Sequence, residues 1–394
     1  MICSIGLGKT YISSEKANTY PLKILVVCQK SKINDWCEHF KSLYGYDVYD
    51  LTKPKFINDF IVRCDKCVAV INYDLIWRRK ELLKLKDFTL VLDESSLINN
   101  EVTKRAKFIL KMIPTNTILL SGSLCGGKYE RLWSQMNLLG WNISKKMYYS
   151  QYVNMEITPE GYPIIKGYKN VDRLKRKMRE HGCVFMKSEE VLDLPTQNFI
   201  TINVPESKEY KKFKKSGIII TKDYELVGDT TLTKLLYSRM LCGHYNVDKL
   251  KAFQDLVEST DDRLIVFYNF NDELVELMNL VDGVNKPISV VNGKEKDLSA
   301  YEECEDSVTF VQYQAGSAGL NLQKANKMIY FTPPLSCEHW MQSAKRIHRI
   351  GTTSTCFYYK LIVKNSVEER IYQTLDMREN FTNNLFEDFE RGGI

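Results

Sequence analysis

Three short stretches of this chain hold residues of the types, at the spacings, that handle phosphate. Near the start, Gly6-Leu7-Gly8-Lys9-Thr10 runs into a helix-compatible stretch. A glycine-rich turn feeding a helix start aims backbone N–H groups and the positive helix end at phosphate oxygens. There Gly6 and Gly8 permit close backbone approach, Lys9 reaches the β/γ phosphates and Thr10 holds Mg2+. The full eight-residue motif wants glycine where this chain has Cys3, so the segment alone also reads as a chance loop. The second stretch lies 83 residues beyond Thr10, where the apolar run FTLVL leads directly into Asp93-Glu94. At the C-terminal edge of an open α/β sheet, Asp93 would hold the metal through water, and Glu94 would orient and deprotonate the attacking water. The bland alternative is two acids capping the next turn. In the third stretch, Gln342, Arg346 and Arg349 fall at i, i+4 and i+7, one face if the segment is helical. An arginine delivered to a γ-phosphate stabilises transition-state charge, worth about 10³–10⁵ in rate. A surface helix with ordinary salt bridges is the competing account.

Elements that would position these residues follow from short apolar β-branched runs separated by amphipathic stretches. Candidate strands are 23–28, 68–71, 88–92, 117–120, 264–268, 288–291, 308–311, 328–331 and 357–362. Several are apolar throughout, which suits strands buried on both faces of a parallel sheet. Candidate helices lie between them, for example 32–44, 271–280 and 337–350. Alternation of this kind predicts α/β lobes. The strands form two groups, roughly 1–135 and 255–365. Between them sits a helical-looking basic segment with RLKRKMRE (173–180) and KEYKKFKKS (208–216).

Composition narrows the class. The 394 residues suggest two or three domains, and 44% hydrophobic residues suffice for real cores. No apolar run approaches the 18 residues of a membrane helix, and the N-terminus does not resemble a signal peptide. Eleven scattered cysteines point to a reducing, intracellular, cytoplasmic setting. Cys64 and Cys67 lack a second ligand pair, so a structural role is preferred to zinc. The net charge of +6 is local, because residues 161–222 hold 14 Lys/Arg against 7 Asp/Glu. Such a patch suits a polyanion, with Arg173, Lys175, Arg176 and Lys177 as candidate DNA-phosphate contacts. For one basic run, a solvated helix face is the preferred account.

The segment QSAKRIHRIG (342–351) resembles motif VI of the Swi/Snf-type ATPases of helicase superfamily 2. GLGKT (6–10) resembles motif I, LVVCQKSKINDWCEHF (25–40) motif Ia, VINYDLI (70–76) motif Ib and DESS (93–96) motif II. LLSGSLCGGKYERLW (119–133) resembles motif III, RLIVFYNF (263–270) motif IV and QAGSAGLNLQKAN (314–326) motif V. KNSVEERIYQTL (364–375) is similar to the family's closing brace, and the compact size resembles bacteriophage-borne versions.

The resemblance implies an α/β fold with two RecA-like parallel-sheet lobes, the P-loop NTPase core of superfamily 2 helicases, and a helical basic insert between them. Expected bounds are 1–140 for lobe 1, 141–250 for the insert and linker, 251–375 for lobe 2 and 376–394 for a tail. By the same resemblance Gly6, Gly8, Lys9, Thr10 and Gln342 bind ATP, and Thr10 and Asp93 serve Mg2+. Glu94, Arg346 and Arg349 catalyse. Ser121, Gly122, Gly316, Gly319 and Asn321 couple nucleotide state to DNA. Three departures stand out. Ser96 replaces the usual histidine of motif II, and Ser123-Leu124 replaces threonine-proline in motif III. Only Met1–Ser4 precede Ile5, so lobe 1 is expected to lack the central strand before its phosphate loop. A late start, or an upstream fragment or partner supplying that strand, would account for this. No adenine-reading residues are identifiable, and no wedge or hairpin is recognisable. The leading expectation is a DNA-stimulated ATPase that translocates along double-stranded DNA. The alternatives are a strand-separating repair or replication helicase and a hydrolysis-deficient DNA-binding protein.

Overall fold

The computed structural model describes residues 2–3, 8–122, 125–186, 192–221, 224–316 and 320–390, with side chains described from 8 to 379. The chain divides into two compact units, Met1–Val191 with Asn380–Ile394, and Leu192–Glu379. The stretch expected as one insert, 141–250, is shared between them.

In the first unit, β1 is the two-residue strand Ile2–Cys3. The main strands are β2 (Lys23–Cys28), β3 (Val48–Asp50), β4 (Val68–Asn72), β5 (Phe88–Leu92) and β6 (Asn116–Leu119). They form one parallel sheet in the order β3-β4-β2-β5-β6. β2, β4 and β5 read as apolar runs because both faces are covered. Leu25, Ala69, Ile71, Leu90 and Leu92 pack on one side, and Ile24, Val26, Val68, Val70 and Val91 on the other with Trp36 and Phe40 of the helix Ile33–Tyr44. Burying each of these larger side chains contributes about 1.5–3 kcal/mol. The five strands are joined by hydrogen bonds without a break in that order. Among the described residues β3 and β6 are the sheet's two edges, while β1 pairs in parallel with β9 (Phe185–Met186) as a separate ribbon. Between them in sequence come β7 (Val153–Ile157) and β8 (Pro163–Tyr168), an antiparallel hairpin.

The second unit holds β10 (Gln197–Val204), β11 (Ile218–Ile220), β12 (Glu225–Val227), β13 (Leu264–Tyr268), β14 (Ile288–Val291), β15 (Lys296–Asp297), β16 (Val308–Gln312), β17 (Lys327–Tyr330) and β18 (Cys356–Val363). Seven of them form a sheet ordered β10-β18-β17-β13-β16-β14-β15, parallel except for the β14–β15 pair. Strand β10 falls inside the segment read from sequence as helical. It is an edge strand with Phe199 and Ile200 exposed, so its polar–apolar mixture carries no long buried run. Lys249 and Glu368 form a fully buried ion pair, Nζ lying 2.6 and 2.8 Å from the two carboxylate oxygens. This pair clamps the helix Val247–Glu258 to the start of the helix Val367–Glu390.

Candidate functional site

In the first unit the phosphate-loop lysine meets the acid pair. β5 is buried along its length, so its end delivers Asp93 and Glu94 to the sheet edge. Glu94 adopts φ 54° and ψ 59°, a left-handed conformation that a residue with a Cβ enters at a cost of about 1–2 kcal/mol. Neighbouring bonds hold it there. The Ser95 N–H donates to the Leu120 carbonyl at 2.8 Å, and the Leu97 N–H returns to the Glu94 carbonyl at 3.0 Å. The Tyr73 hydroxyl donates to the Asp93 carbonyl at 2.9 Å. Strain that persists because its surroundings over-determine it is a mark of functional sites.

Gly8 precedes the helix Lys9–Asn18 with φ 68°, where a side chain would be strained; Gly6 lies outside the described residues. Lys9 Nζ stands 3.4 Å from Glu94 Oε1, with only 12% and 20% of the two side chains exposed. Glu94 Oε2 is buried and accepts no hydrogen bond among the described residues. Thr10 is half-buried in the first helical turn. Trp36 Nε1 donates to Asp93 Oδ2 at 3.0 Å. Burial, and next the charge of Glu94, push the Asp93 carboxyl above its usual range, while the Trp36 bond and Lys9 oppose that rise. A half-screened lysine, a buried carboxylate and an unfilled acceptor are a donor set that fits a metal-bound polyphosphate.

Trp36 lies in the segment resembling motif Ia, but nothing in its sequence pattern signals its bond to Asp93 or the roles of Tyr73, Gln135 and Asn99. Ser95 Oγ donates to Gln135 Oε1 at 2.7 Å, and Gln135 Nε2 donates to Asn99 Oδ1 at 2.6 Å. This buried chain fixes the turn that carries Glu94. Ser96, in the histidine's place, is buried beside it. Ser121 is buried directly after Leu120, and Gly122 follows; Ser123-Leu124 lie outside the described residues.

In the second unit the helix expected over 337–350 stops at Ala344. Arg346 and Arg349 therefore sit in turns, not on the helical face with Gln342. The reason is local bonding: the Arg346 N–H goes to Ser343 at i−3, the Arg346 carbonyl accepts from the Leu322 N–H, and Thr352 Oγ1 donates to the Ile347 carbonyl. The turns still bring the motif residues together. Nη1 of Arg346 and Nη1 of Arg349 both donate to the Leu320 carbonyl, at 3.3 and 3.2 Å. Arg349 also donates to Asn321 Oδ1. Burial pulls the Arg349 pKa down, yet a guanidinium stays charged in proteins. Gln342 is buried, donates to Glu338 Oε1 at 3.4 Å, and its Oε1 has no donor among the described residues. Gly316 ends the short helix Tyr313–Gly316; Gly319 lies outside the described residues. His348 donates from Nε2 to the Pro195 carbonyl at 2.8 Å, a tie invisible at 153 residues' separation.

The basic helix forms as Val171–Glu180, but its four candidate cations do not share a surface. Leu174 and Met178 pack under it with Tyr148 and Tyr152. Lys175 sits on that inward side with 7% exposure, whereas Arg173 and Arg176 are exposed. Lys177 is half-buried and pairs with Glu180. Helical spacing explains this, since Lys175 adjoins Leu174 on the inward side.

The SNF2-related domain family matches residues 2–247, and the Helicase conserved C-terminal domain family matches residues 248–351. The chain is 24% identical over 428 residues to the ISWI chromatin-remodeling complex ATPase ISW1 of Saccharomyces cerevisiae, covering 94% of this chain and 37% of that protein. It is 21% identical over 415 residues to an uncharacterized ATP-dependent helicase, YqhH, of Bacillus subtilis, covering 94% of this chain and 73% of that one. The Sulfolobus solfataricus SWI2/SNF2 ATPase core in complex with dsDNA aligns at 19% identity and a TM-score of 0.43, over 97% of this chain and 88% of that chain. The chain spans 37–40% of the length of the first three curated relatives. Because the first family match covers well over half of the chain and the second continues from it, this chain belongs to the SNF2-related family of Swi/Snf-type, helicase-like superfamily 2 ATPases, with two RecA-like lobes.

Proposed function

We propose that the chain hydrolyses ATP with Mg2+ and uses the cycle to translocate along double-stranded DNA, which stimulates the hydrolysis. The observation that carries this reading is Glu94, held in a left-handed conformation at the end of a buried strand, 3.4 Å from Lys9. Bound Mg·ATP would supply the electrophilic phosphorus and its charge neutralisation. This chain's own residues then have distinct roles. Lys9 moves its ammonium from Glu94 to phosphate oxygens, and Glu94 becomes free to take a proton from water at a carboxylate oxygen. Asp93, oriented by Trp36, and Thr10 hold the metal. Arg346 and Arg349 present guanidiniums to developing phosphoryl charge, and Gln342 lies beside them in the sequence of the same motif. Ser121, Gly122, Gly316, Gly319 and Asn321 relay the nucleotide state to DNA. Arg173, Arg176 and Lys177 contact backbone phosphates.

Steady-state hydrolysis with no nucleic acid, duplex DNA, single-stranded DNA and RNA tests the reading. Duplex DNA should stimulate most, and triplex displacement should require ATP. Hydrolysis absent under all four conditions would leave a hydrolysis-deficient DNA-binding protein. One observation favours a second reading, strand separation. The hairpin of β7 and β8 exposes Met155, Ile157 and Tyr162 around a turn at Gly161, and apolar or aromatic side chains can stack on unpaired bases. Fork unwinding that the Tyr162→Ala variant loses, with duplex-stimulated hydrolysis intact, would select it.

A further inference from the structure

A second concentration of positive charge lies in the second unit, in residues given no role above. A cavity of about 270 Å³ opens between three helices, and its lining includes Lys214, Lys215, Lys234, Ser238 and Arg370. The sequence aims these side chains together. Tyr210 and Lys214 are i, i+4 on the helix Lys208–Ser216, and Lys234 and Ser238 are i, i+4 on the helix Thr231–Cys242. Arg370 lies one turn into the helix Val367–Glu390. The walls are tied to one another. Tyr210 Oη accepts the Val367 N–H at 2.8 Å, and Lys214 Nζ donates to the Asn365 carbonyl at 2.7 Å. The Lys234 stem lies against Gly217, whose φ of 72° ends the first helix.

Three of these four cations have no ion-pair partner among the described residues. Lys214 pairs with Glu206 at 3.2 Å. Of the nearby acids, Glu368 is consumed by buried Lys249, and Glu369 accepts the Asn365 N–H. Lys215, Lys234 and Arg370 form no ion pair among the described residues. Cations often sit at helix C-termini to complement the dipole, which would account for Lys214 and Lys215. It does not account for Arg370, which stands in the first turn of its helix where a cation opposes the dipole. All three side chains are exposed, so water screens most of their mutual repulsion, and an anion entering the concavity would relieve what remains.

The geometry points to a phosphate-binding pocket at this place, distinct from the nucleotide site and independent of the translocase reading. Its ligand chemistry is a phosphate dianion or short polyphosphate, held by Lys215, Lys234 and Arg370, with the Ser238 hydroxyl as a further donor. The phosphate could come from a free polyphosphate or from a nucleic-acid backbone. The test titrates inorganic pyrophosphate calorimetrically into the full chain carrying Lys9→Ala, which silences the phosphate loop. Saturable binding is expected there, weakened at least about tenfold by adding Lys234→Glu and Arg370→Glu, since charge-assisted bonds dominate such sites. The milder pair Lys234→Gln and Arg370→Gln, with an unchanged unfolding transition, guards against misfolding. Binding that is absent, or equal in the parent and in the folded variants, overturns the pocket. The source is read in a second arm. Duplex DNA that displaces pyrophosphate, with a salt slope flattened by about two in the Gln pair, assigns the backbone; no displacement and an unchanged slope assign a free polyphosphate.

Discussion

Replacing Trp36 by phenylalanine isolates the bond that orients Asp93. In the native chain the indole is 1% exposed, and its N–H reaches Asp93 Oδ2 at 3.0 Å. A buried hydrogen bond to a charged group contributes about 1.5–3 kcal/mol, and it acts only on the ionised carboxylate. Asp93 already has its pKa raised by burial, with the Trp36 bond opposing. Losing that bond raises it further. A carboxylate whose folded pKa lies above its unfolded value destabilises the fold as pH rises through that folded value. Trp36→Phe should therefore destabilise more at a high pH, where Asp93 is ionised, than at a low pH, where it is protonated, and the extra loss should approach about 1.5–3 kcal/mol. For a unit of this size that is roughly 3–12 °C in the first unit's melting transition. With Asp93 ionised at the metal as proposed, the acid limb of ATPase activity should move to higher pH. Phe40→Leu supplies the control, because Phe40 stacks on Trp36 at 5.9 Å and shares its packing without touching Asp93. Its destabilisation should not vary with pH. Equal destabilisation of Trp36→Phe at both pH values, with an unmoved acid limb, would refute this account of Asp93.

Other perturbations have equally direct readouts. Lys9→Ala and Glu94→Gln should both abolish hydrolysis, with Glu94→Gln still retaining nucleotide in an equilibrium binding assay, because shape is kept and the base removed. Arg349→Ala should lower turnover by about 10³ or more with a much smaller change in ATP binding; Asn321→Ala should be milder, since Leu320 still holds the guanidinium. Lys249→Met should cost about 3–5 kcal/mol in denaturant unfolding, and adding Glu368→Met should recover most of it, because a lone buried carboxylate is worse than none. Neutralising Arg173, Arg176 and Lys177 should flatten the salt dependence of duplex binding by up to about three contacts, whereas Lys175→Gln should leave that slope unchanged and lower stability instead.

What could be read in the sequence was whatever is written in local pattern. β2, β5, β13 and β14 lie at the residues expected of them because continuous apolar runs of that length fit only strands covered on both faces. Lys9 and Glu94 were legible as partners because a glycine-rich turn and an acid-ended strand are both short-range signals. What escaped is set by contacts distant in sequence. The helix after Cys337 ends early because Leu322 captures the Arg346 carbonyl, and periodicity holds no record of that bond. Trp36 and Asp93 are 57 residues apart. Strand β10 escaped because an edge strand leaves Phe199 and Ile200 exposed, giving a pattern that a surface helix also shows. Lys175 is the converse case. Its charge suggested the surface, while its place beside Leu174 on the helix turned it inward, to 7% exposure.

In each unit a backbone carbonyl of a motif loop holds the side chains proposed for catalysis, or the turn that carries them. In the first, the carbonyl of Leu120, opening motif III, accepts the N–H of Ser95, the residue next to Glu94. In the second, the carbonyl of Leu320, within motif V, accepts both Arg346 and Arg349. Each carbonyl belongs to a loop expected to relay contact with DNA, and each reaches the chemistry through bonds of 2.8 to 3.3 Å. Hydrogen bonds weaken steeply beyond about 3.5 Å, so a loop displacement of about 1 Å suffices to release them. On the Glu94 side the consequence is amplified, because a left-handed glutamate relaxes once its restraints go. The Ser95–Gln135–Asn99 chain then matters as a second anchor on the same turn. A histidine in place of Ser96 would reach further than serine can. Here the Ser95–Gln135–Asn99 chain secures the turn, and the Leu120 carbonyl is the contact through which motif III reaches the turn that carries the proposed base.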